Sequence, residues 1–215
     1  MAQSRPILYS YFRSSCSWRV RIALHLKGID YEYKAVNLLK DEHHNEDFLK
    51  LNPVAEVPVL YHEGKAISQS VAIMEYLEEV VPNHTLLPKD PAVRAAVRAV
   101  VNTIVAGIQP LQNRKVLVHL GDATKANSWA KHWVEQGFKA VERILQSTHG
   151  QYCFGDVITM ADVCLVPQVY NANRFNVDMS QFPLISEISS RLSDLKEFKD
   201  THPTRQPDCP EEFRI

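Results

Sequence analysis

Glycine is scarce, at seven in 215 residues, which sets aside the collagen-like and Gly-rich disordered classes. Cysteine is scarce too. Cys16, Cys153, Cys164 and Cys209 form no C-x-x-C and no paired Cys–His spacing, too few and too scattered for a disulfide scaffold in a chain this long. This usage points to a reducing compartment, hence the cytoplasm, with a mitochondrial fraction left open. Charge of one sign is lacking: 24 basic against 25 acidic residues leave a net −1, against the basic excess of a nucleic-acid binder or a polybasic membrane-surface protein. No apolar run approaches the roughly eighteen residues of a membrane span. The stretch Pro6–Phe12 is short, is followed by Arg13, Arg19 and Arg21, and has no small-residue cleavage site, so no secretory leader is expected.

Motif absences remove further classes. There is no G-x-G-x-x-G, G-x-S-x-G or H-E-x-x-H. Gly150 and Gly155 have the spacing of a phosphate-binding loop, but Asp156 stands where that loop needs lysine. The nine histidines show no ligand spacing, so no metal is expected, and His43-His44 reads as a solvated loop pair.

What remains is a globular composition, 45% hydrophobic and 9% aromatic, long enough for one large or two small domains. Up to residue 82 the strand and helix periods alternate. Ile7–Phe12, Tyr31–Leu38, Val57–Tyr61 and Ala66–Ile67 read as strands. Cys16–Lys27, Asp47–Leu51 and Ser68–Val80 read as helices, with Gly28 as an αL cap and His62–Lys65 as a tight turn. The order β-α-β-α-β-β-α predicts an α/β unit whose sheet is mixed, because the hairpin imposes an antiparallel pair. Residues 83–90, bracketed by Pro82, Pro88 and Pro91, read as a linker. Residues 91–215 read as all-helical. Asp90-Pro91 opens a helix with a Val/Ile stripe from Val93 to Ile108, Trp129–Leu145 marks a second, and Thr159–Asp162 fits a capping box. Pro183–Phe198 is a further helix. The last fifteen residues, with Pro203, Pro207 and Pro210, are expected to be an extended tail.

The segment Arg13-Ser14-Ser15-Cys16-Ser17-Trp18-Arg19-Val20-Arg21 carries the chemistry. It joins the first strand to the first helix, where main-chain N–H groups and the macrodipole favour an anion. One serine suffices to cap a helix; two hydroxyls, a thiol and nearby cations also suit a thiolate, either that of Cys16 or one brought by a thiol cofactor. Val57-Pro58, at a strand start, is a candidate cis bond. Gln69-Ser70 opens a second helix able either to be capped or to receive a carboxylate.

The string Ser14-Ser15-Cys16-Ser17-Trp18-Arg19-Val20-Arg21-Ile22-Ala23-Leu24 resembles the signature of the zeta class of glutathione transferases, the maleylacetoacetate isomerases. Asn52-Pro53, Val57-Pro58, Gln69-Ser70, Glu75–Glu79, Leu86–Pro88, Asp90-Pro91, Gly107–Asn113, Thr159–Asp162, Asn173–Phe175, His202-Pro203 and Gln206–Asp208 resemble the same family in order, so the similarity spans essentially the whole chain. The resemblance implies a thioredoxin-like domain followed by a helical domain, glutathione as cofactor, a homodimer, and a small dicarboxylate as substrate. It implies isomerisation of maleylacetoacetate to fumarylacetoacetate in tyrosine and phenylalanine catabolism, and transferase activity on small α-haloacids. Ser14, Ser15 and Cys16 would hold and activate the glutathione sulfur, with Ser14 leading, and Ser17, Trp18 and Arg19 complete that segment. The Trp18 ring, like Trp129 and Trp133, is assigned to packing. Val57 before Pro58 would pair with the cysteinyl unit, and Gln69 and Ser70 would take the γ-glutamyl end. Gln109, Asn113, Arg114 and Lys115 would border the cleft, and Arg13 and Arg174 would meet the substrate's carboxylates.

Two departures stand out. Glu56 precedes Val57-Pro58 where the family carries a basic or amide residue, and the loop 41–47 is short, leaving His43 or His44 for the glycyl end. Two other readings stay open: Cys16 as nucleophile of a thiol–disulfide reductase, and a non-catalytic ligand carrier.

Overall fold

The computed structural model describes residues 5–214, which form two compact units. One comprises the chain up to Thr85 together with everything from Lys196 onward; the other is Leu86–Leu195.

In the first unit, β1 (Ile7–Ser10) sits between β2 (Glu32–Ala35) and β3 (Val59–His62), with β4 (Lys65–Ser68) outside β3. The β1–β2 pair is parallel and the other two are antiparallel, the mixed sheet that the hairpin requires. Register divides the side chains between the faces. Leu8 lies opposite Leu60 on one face; Tyr9 lies opposite Val59 on the other, where its ring meets Phe48 of α2 (Glu46–Leu51) edge-on at 6.1 Å. Helix α1 (Ser15–Leu26) packs against α3 (Ser70–Val80), with Val20, Ile22, Leu24, Ile73 and Leu77 buried. α1 ends as its sequence predicts. Gly28 adopts φ +66°, and Ile29 N–H and Gly28 N–H donate to the carbonyls of Leu24 and His25, closing a Schellman motif. Just before it, the buried Lys27 ammonium meets Glu78 at 2.7 Å and the carbonyls of Val81 and Asn83 at 2.8 and 3.1 Å, which secures the end of α3.

The chain beyond residue 200 is not the extended tail that its prolines suggest. After α9 (Lys196–Asp200) it forms two short 3-10 turns and buries Thr201, Pro203, Gln206 and Cys209. Prolines without regular hydrogen bonding read as solvent-exposed chain. Here polar partners on the first unit hold the segment: Trp18 Nε1–H donates to Thr201 Oγ1 at 3.0 Å, and Phe12 N–H to Asp208 at 2.8 Å. The helical region expected over 91–215 therefore gives its last twenty residues to the first unit.

The second unit is helical. Asp90 caps α4 (Pro91–Asn102) by accepting from Ala92 and Val93 N–H, each at 2.9 Å. The helix continues through a π-turn (Thr103–Ile108) and a 3-10 turn (Gln109–Gln112) into α5 (Arg114–His119). This run meets the length and mean hydropathy (1.3) of a membrane span, and one stripe of it, Val97, Val100, Val101, Ile104 and Ile108, is buried where it packs on α6 (Ala123–Thr148) and α7 (Met160–Arg174). Thr159 and Asp162 make the start of α7: the carboxylate accepts from Thr159 N–H at 2.8 Å, from its hydroxyl at 2.9 Å and from Cys153 N–H at 2.9 Å. Helix α8 (Pro183–Ser193) lacks a cap of its own. Glu142 of α6 replaces it, accepting from Leu184 and Ile185 N–H. Trp129, assigned to packing, is in fact exposed, its indole N–H donating to the carbonyl of Leu111. It sits beside Trp133 on α6, and position alone did not show that the outer ring finds a polar partner near the surface.

The π-turn presses Ile108 against α6 at Gly137, where an added Cβ would lie 2.2 Å from Ile108 Cγ1. Helix propensity alone favours alanine there by about 1 kcal/mol, whereas overpacking costs about 1–3 kcal/mol. Gly137→Ala is expected to lower the melting temperature; a rise would show that Ile108 yields freely. A second expectation concerns acid. Burial lowers the pKa of both His25 and His202 below the ordinary 6.5, and Arg21 and Arg205 push His202 further down. The unfolded chain therefore binds more protons than the folded one below pH 6.5. Stability present above that pH should be lost as pH falls from 6.5 towards the depressed values, and His202→Gln should flatten the fall in a series of melting temperatures against pH.

Candidate functional site

The start of α1 is built from a turn and a cap. Tyr11 C=O accepts from Ser14 N–H at 3.0 Å, closing the turn out of β1. Ser14, extended at φ −70° and ψ 116°, is the N-cap, its Oγ accepting from Ser17 N–H at 3.2 Å. That bond uses an oxygen lone pair, so the hydroxyl proton is left to donate elsewhere. The N–H groups of the first turn have no partner within the helix. Ser14 and Cys16 are half-buried, while Ser15, Ser17 and Trp18 are buried. Trp18 packs as expected, its ring edge-on to His202 at 5.1 Å.

On the same helix lies Arg19, only 1% exposed. Its Nη1–H donates to Cys16 Sγ at 3.7 Å and to Ser70 Oγ at 3.3 Å, while Nε and Nη2 have no hydrogen-bond partner among the described residues. A buried cation with no carboxylate bonded to it and two unmatched donors is costly by itself. It raises the local potential where an anion would be held. Arg19 also ties the two helix starts together, because Ser70 is the first residue of α3. There Gln69 takes the unusual φ of +70° and its side chain makes no cap bond, which leaves the first-turn N–H groups of α3 uncapped among the described residues.

Val57-Pro58 is cis, as its position suggested, and Val57 packs in a cluster with Tyr11, Phe12 and Phe48. Asn52 Nδ2–H holds the carbonyl of Glu56 at 2.8 Å on the approach to that bond. Arg13 is half-buried, its guanidinium 5.8 Å from the Phe12 ring centroid. His43 and His44 lie on a separate 3-10 turn with Asp41, their donor atoms and that carboxylate within 4.8 Å of one another.

The structure thus joins Cys16, Arg19 and Ser70 through hydrogen bonds, with Ser14 capping the helix that carries the first two. Five expected residues belong to the second unit. Gln109 opens the 3-10 turn. Asn113 caps α5, accepting from Lys115 N–H at 3.3 Å, and Arg114 and Lys115 are exposed in the first turn. Arg174, exposed at the end of α7, donates to Asn171 Oδ1 at 3.2 Å and lies 5.7 Å from the Phe175 ring.

Sequence reasoning included Arg21 in the segment that carries the chemistry but gave it no role of its own. Its guanidinium has no exposure and donates to Thr201 C=O (3.2 Å), Ser10 Oγ (3.2 Å), Tyr11 C=O (3.4 Å) and Phe12 C=O (3.0 Å), so it holds the turn that carries Ser14. Burial lowers its pKa, while Tyr33, Tyr31 and Asp208 oppose that. A signal was present: an arginine beside Val20 and Ile22, three residues before Leu24, stands on a face the apolar residues claim for the core.

Known proteins match this chain throughout. Residues 5–79 fit the family described as "Glutathione S-transferase, N-terminal domain", and residues 115–201 fit "Glutathione S-transferase, C-terminal domain". A maleylacetoacetate isomerase of Mus musculus is 56% identical over 216 residues, covering 100% of both chains. Among solved structures, a bacterial maleyl pyruvate isomerase described as a zeta-class glutathione S-transferase superposes with a TM-score of 0.93 at 42% identity, over 95% of this chain and 100% of that one. The maleylacetoacetate isomerase of Anaeromyxobacter dehalogenans with glutathione bound in its active site gives 0.88 at 41% identity, over 97% and 100%.

Arg19 gives a direct test. Arg19→Met removes an underbonded buried cation, so the fold should keep or gain melting temperature. Glutathione affinity measured by calorimetry should weaken on the order of tenfold or more, the worth of a hydrogen-bonded charge. Unchanged affinity would show that the guanidinium is purely structural.

Proposed function

The chain belongs to the glutathione S-transferase family, and on that premise we propose that it isomerises maleylacetoacetate to fumarylacetoacetate with glutathione as cofactor. The observation that carries this is the start of α1, where the Ser14 hydroxyl is fixed as acceptor of Ser17 N–H with its own proton left to give, while, two positions on, Cys16 Sγ meets the underbonded guanidinium of Arg19. These donors fit an anionic sulfur. When bound, glutathione supplies a thiolate that adds to the conjugated cis double bond, so that rotation becomes cheap before the thiolate leaves and the bond re-forms as trans.

The protein's own groups divide the rest. Ser14 donates to the sulfur, and the N–H groups of Ser15 and Cys16 add the dipole of the helix terminus. Because these donors are fixed before the substrate arrives, they favour the sulfur as it attacks and again as it departs. Val57 pairs its main chain with the cysteinyl unit. Gln69 and Ser70 present the start of α3 to the γ-glutamyl carboxylate. The resemblance assigns Gln109, Asn113, Arg114 and Lys115 to glutathione and Arg13 and Arg174 to the substrate's carboxylates, which planar guanidinium groups suit. The same machinery extends to small α-haloacids: a carbon–sulfur bond forms, the carbon–halogen bond breaks, and the electron pair leaves with the halide. A cytoplasmic location, from the cysteine usage, and assembly as a homodimer, from the resemblance, complete the proposal.

One contact favours a second reading. Arg19 Nη1–H donates to Cys16 Sγ at 3.7 Å, so the thiol itself, and not only a bound one, has a cation against it. Turnover of maleylacetone, a model substrate, distinguishes the two. Purified protein should isomerise it only with glutathione, Ser14→Ala should lose about a hundredfold or more in kcat, and Cys16→Ser should retain most activity. No glutathione-dependent turnover would sink the isomerase reading. Loss in Cys16→Ser with Ser14→Ala intact would move the chemistry to the thiol.

A further inference from the structure

The proposed reaction makes no use of the C-terminal segment, yet this segment reaches the main chain that delivers Ser14. Asp208 Oδ2 accepts from Phe12 N–H at 2.8 Å and Oδ1 from the Tyr33 hydroxyl at 2.6 Å. Phe12 is buried, so its N–H would lack any partner without that carboxylate. The Phe12 carbonyl is held on its other side by Arg21 Nη2 at 3.0 Å. The preceding carbonyl, of Tyr11, accepts from both Arg21 and Ser14 N–H. Arg21 is itself anchored to the same segment through Thr201 C=O. The turn from Tyr11 to Ser14 is therefore gripped at three successive main-chain groups, two by Arg21 and one by Asp208, which lies 196 positions from Phe12 in sequence.

We propose that Asp208 is a positioning residue for the glutathione sulfur. It fixes the Phe12 peptide, and through the closed turn it sets where the Ser14 hydroxyl stands. This rests on the reading of Ser14 as the donor to that sulfur. The demand is geometric, since misplacement of a donor by about 1 Å costs around a hundredfold. Tyr33 holds the carboxylate's second oxygen, so the acceptor cannot swing away from Phe12 without breaking a short bond. Burial, with the Asp208 charge and hydrogen bond assisting, raises the phenol's pKa far above its ordinary range, so it stays a donor throughout working pH.

Charge and position oppose one another here, which makes the idea testable. A carboxylate near the site disfavours a thiolate, so removing its charge alone should help the sulfur ionise. Removing the anchor should hinder it. The measurement is the pH titration of enzyme-bound glutathione by its ultraviolet thiolate absorbance, on the full-length protein well below each variant's melting temperature. Asp208→Asn keeps an acceptor for Phe12 N–H and should leave the titration in place or move it down. Asp208→Ala should move it up by about one pH unit, about tenfold less thiolate at a given pH below the midpoint. Asp208→Glu keeps the charge but displaces the acceptor by one methylene; it should shift upward as well and stands in if the alanine variant does not fold. Ser14→Ala is run alongside. If Ser14→Ala shifts the titration while Asp208→Ala and Asp208→Glu leave it at the wild-type position, the aspartate is only structural and the inference is overturned. If Ser14→Ala itself moves nothing, the underlying assignment of Ser14 falls, and the inference with it.

Discussion

A guanidinium cut off from water must find its acceptors within the protein, and Arg21 finds them in two places. Three of its contacts, to Ser10, Tyr11 and Phe12, lie on the strand end and turn leading to the first helix; the other is Thr201, in the segment after α9. Leaving a buried charge only partly satisfied costs several kcal/mol, so the turn and the segment are held as one structure. The conformation of Ser14, the order of the C-terminal residues and the burial of Trp18 against Thr201 and His202 all depend on this arrangement.

Arg19 and Arg21 show how one helix separates architecture from chemistry. Residues two apart in an α-helix point roughly 200° from each other around the axis. Arg21 accordingly faces the strand end and the C-terminal segment, and Arg19 faces the start of α3. The first makes four hydrogen bonds to its surroundings. The second makes two and leaves two nitrogens unmatched in a buried place. Similar side chains at similar depth thus serve opposite ends: a satisfied cation stabilises the fold, and an unsatisfied one stores attraction for an anion.

Much of this was legible in the residues because the decisive features are local. The cap at Ser14, the αL glycine after α1 and the Thr159–Asp162 box each follow from side chains within a few positions of one another, whereas the cis bond before Pro58 was only a candidate on local grounds and came with the family resemblance. The strand and helix periods gave the element order and the mixed sheet. What stayed hidden depends on long-range pairing. No local rule connects Phe12 to Asp208 or Arg21 to Thr201, so proline-rich chain read as a loose tail while the structure buries it. The π-turn at Thr103–Ile108 was hidden for the same reason, because it answers to Gly137 on another helix. Glu142, capping α8 from across the unit, is a third case.

A crystal structure of this protein with glutathione bound tests the central claim most directly. The sulfur should lie within hydrogen-bond reach of Ser14 Oγ, at the start of α1, with the γ-glutamyl carboxylate against the first turn of α3. A sulfur resting on Cys16 Sγ and away from Ser14, or a tripeptide seated elsewhere with the helix start untouched, would contradict it.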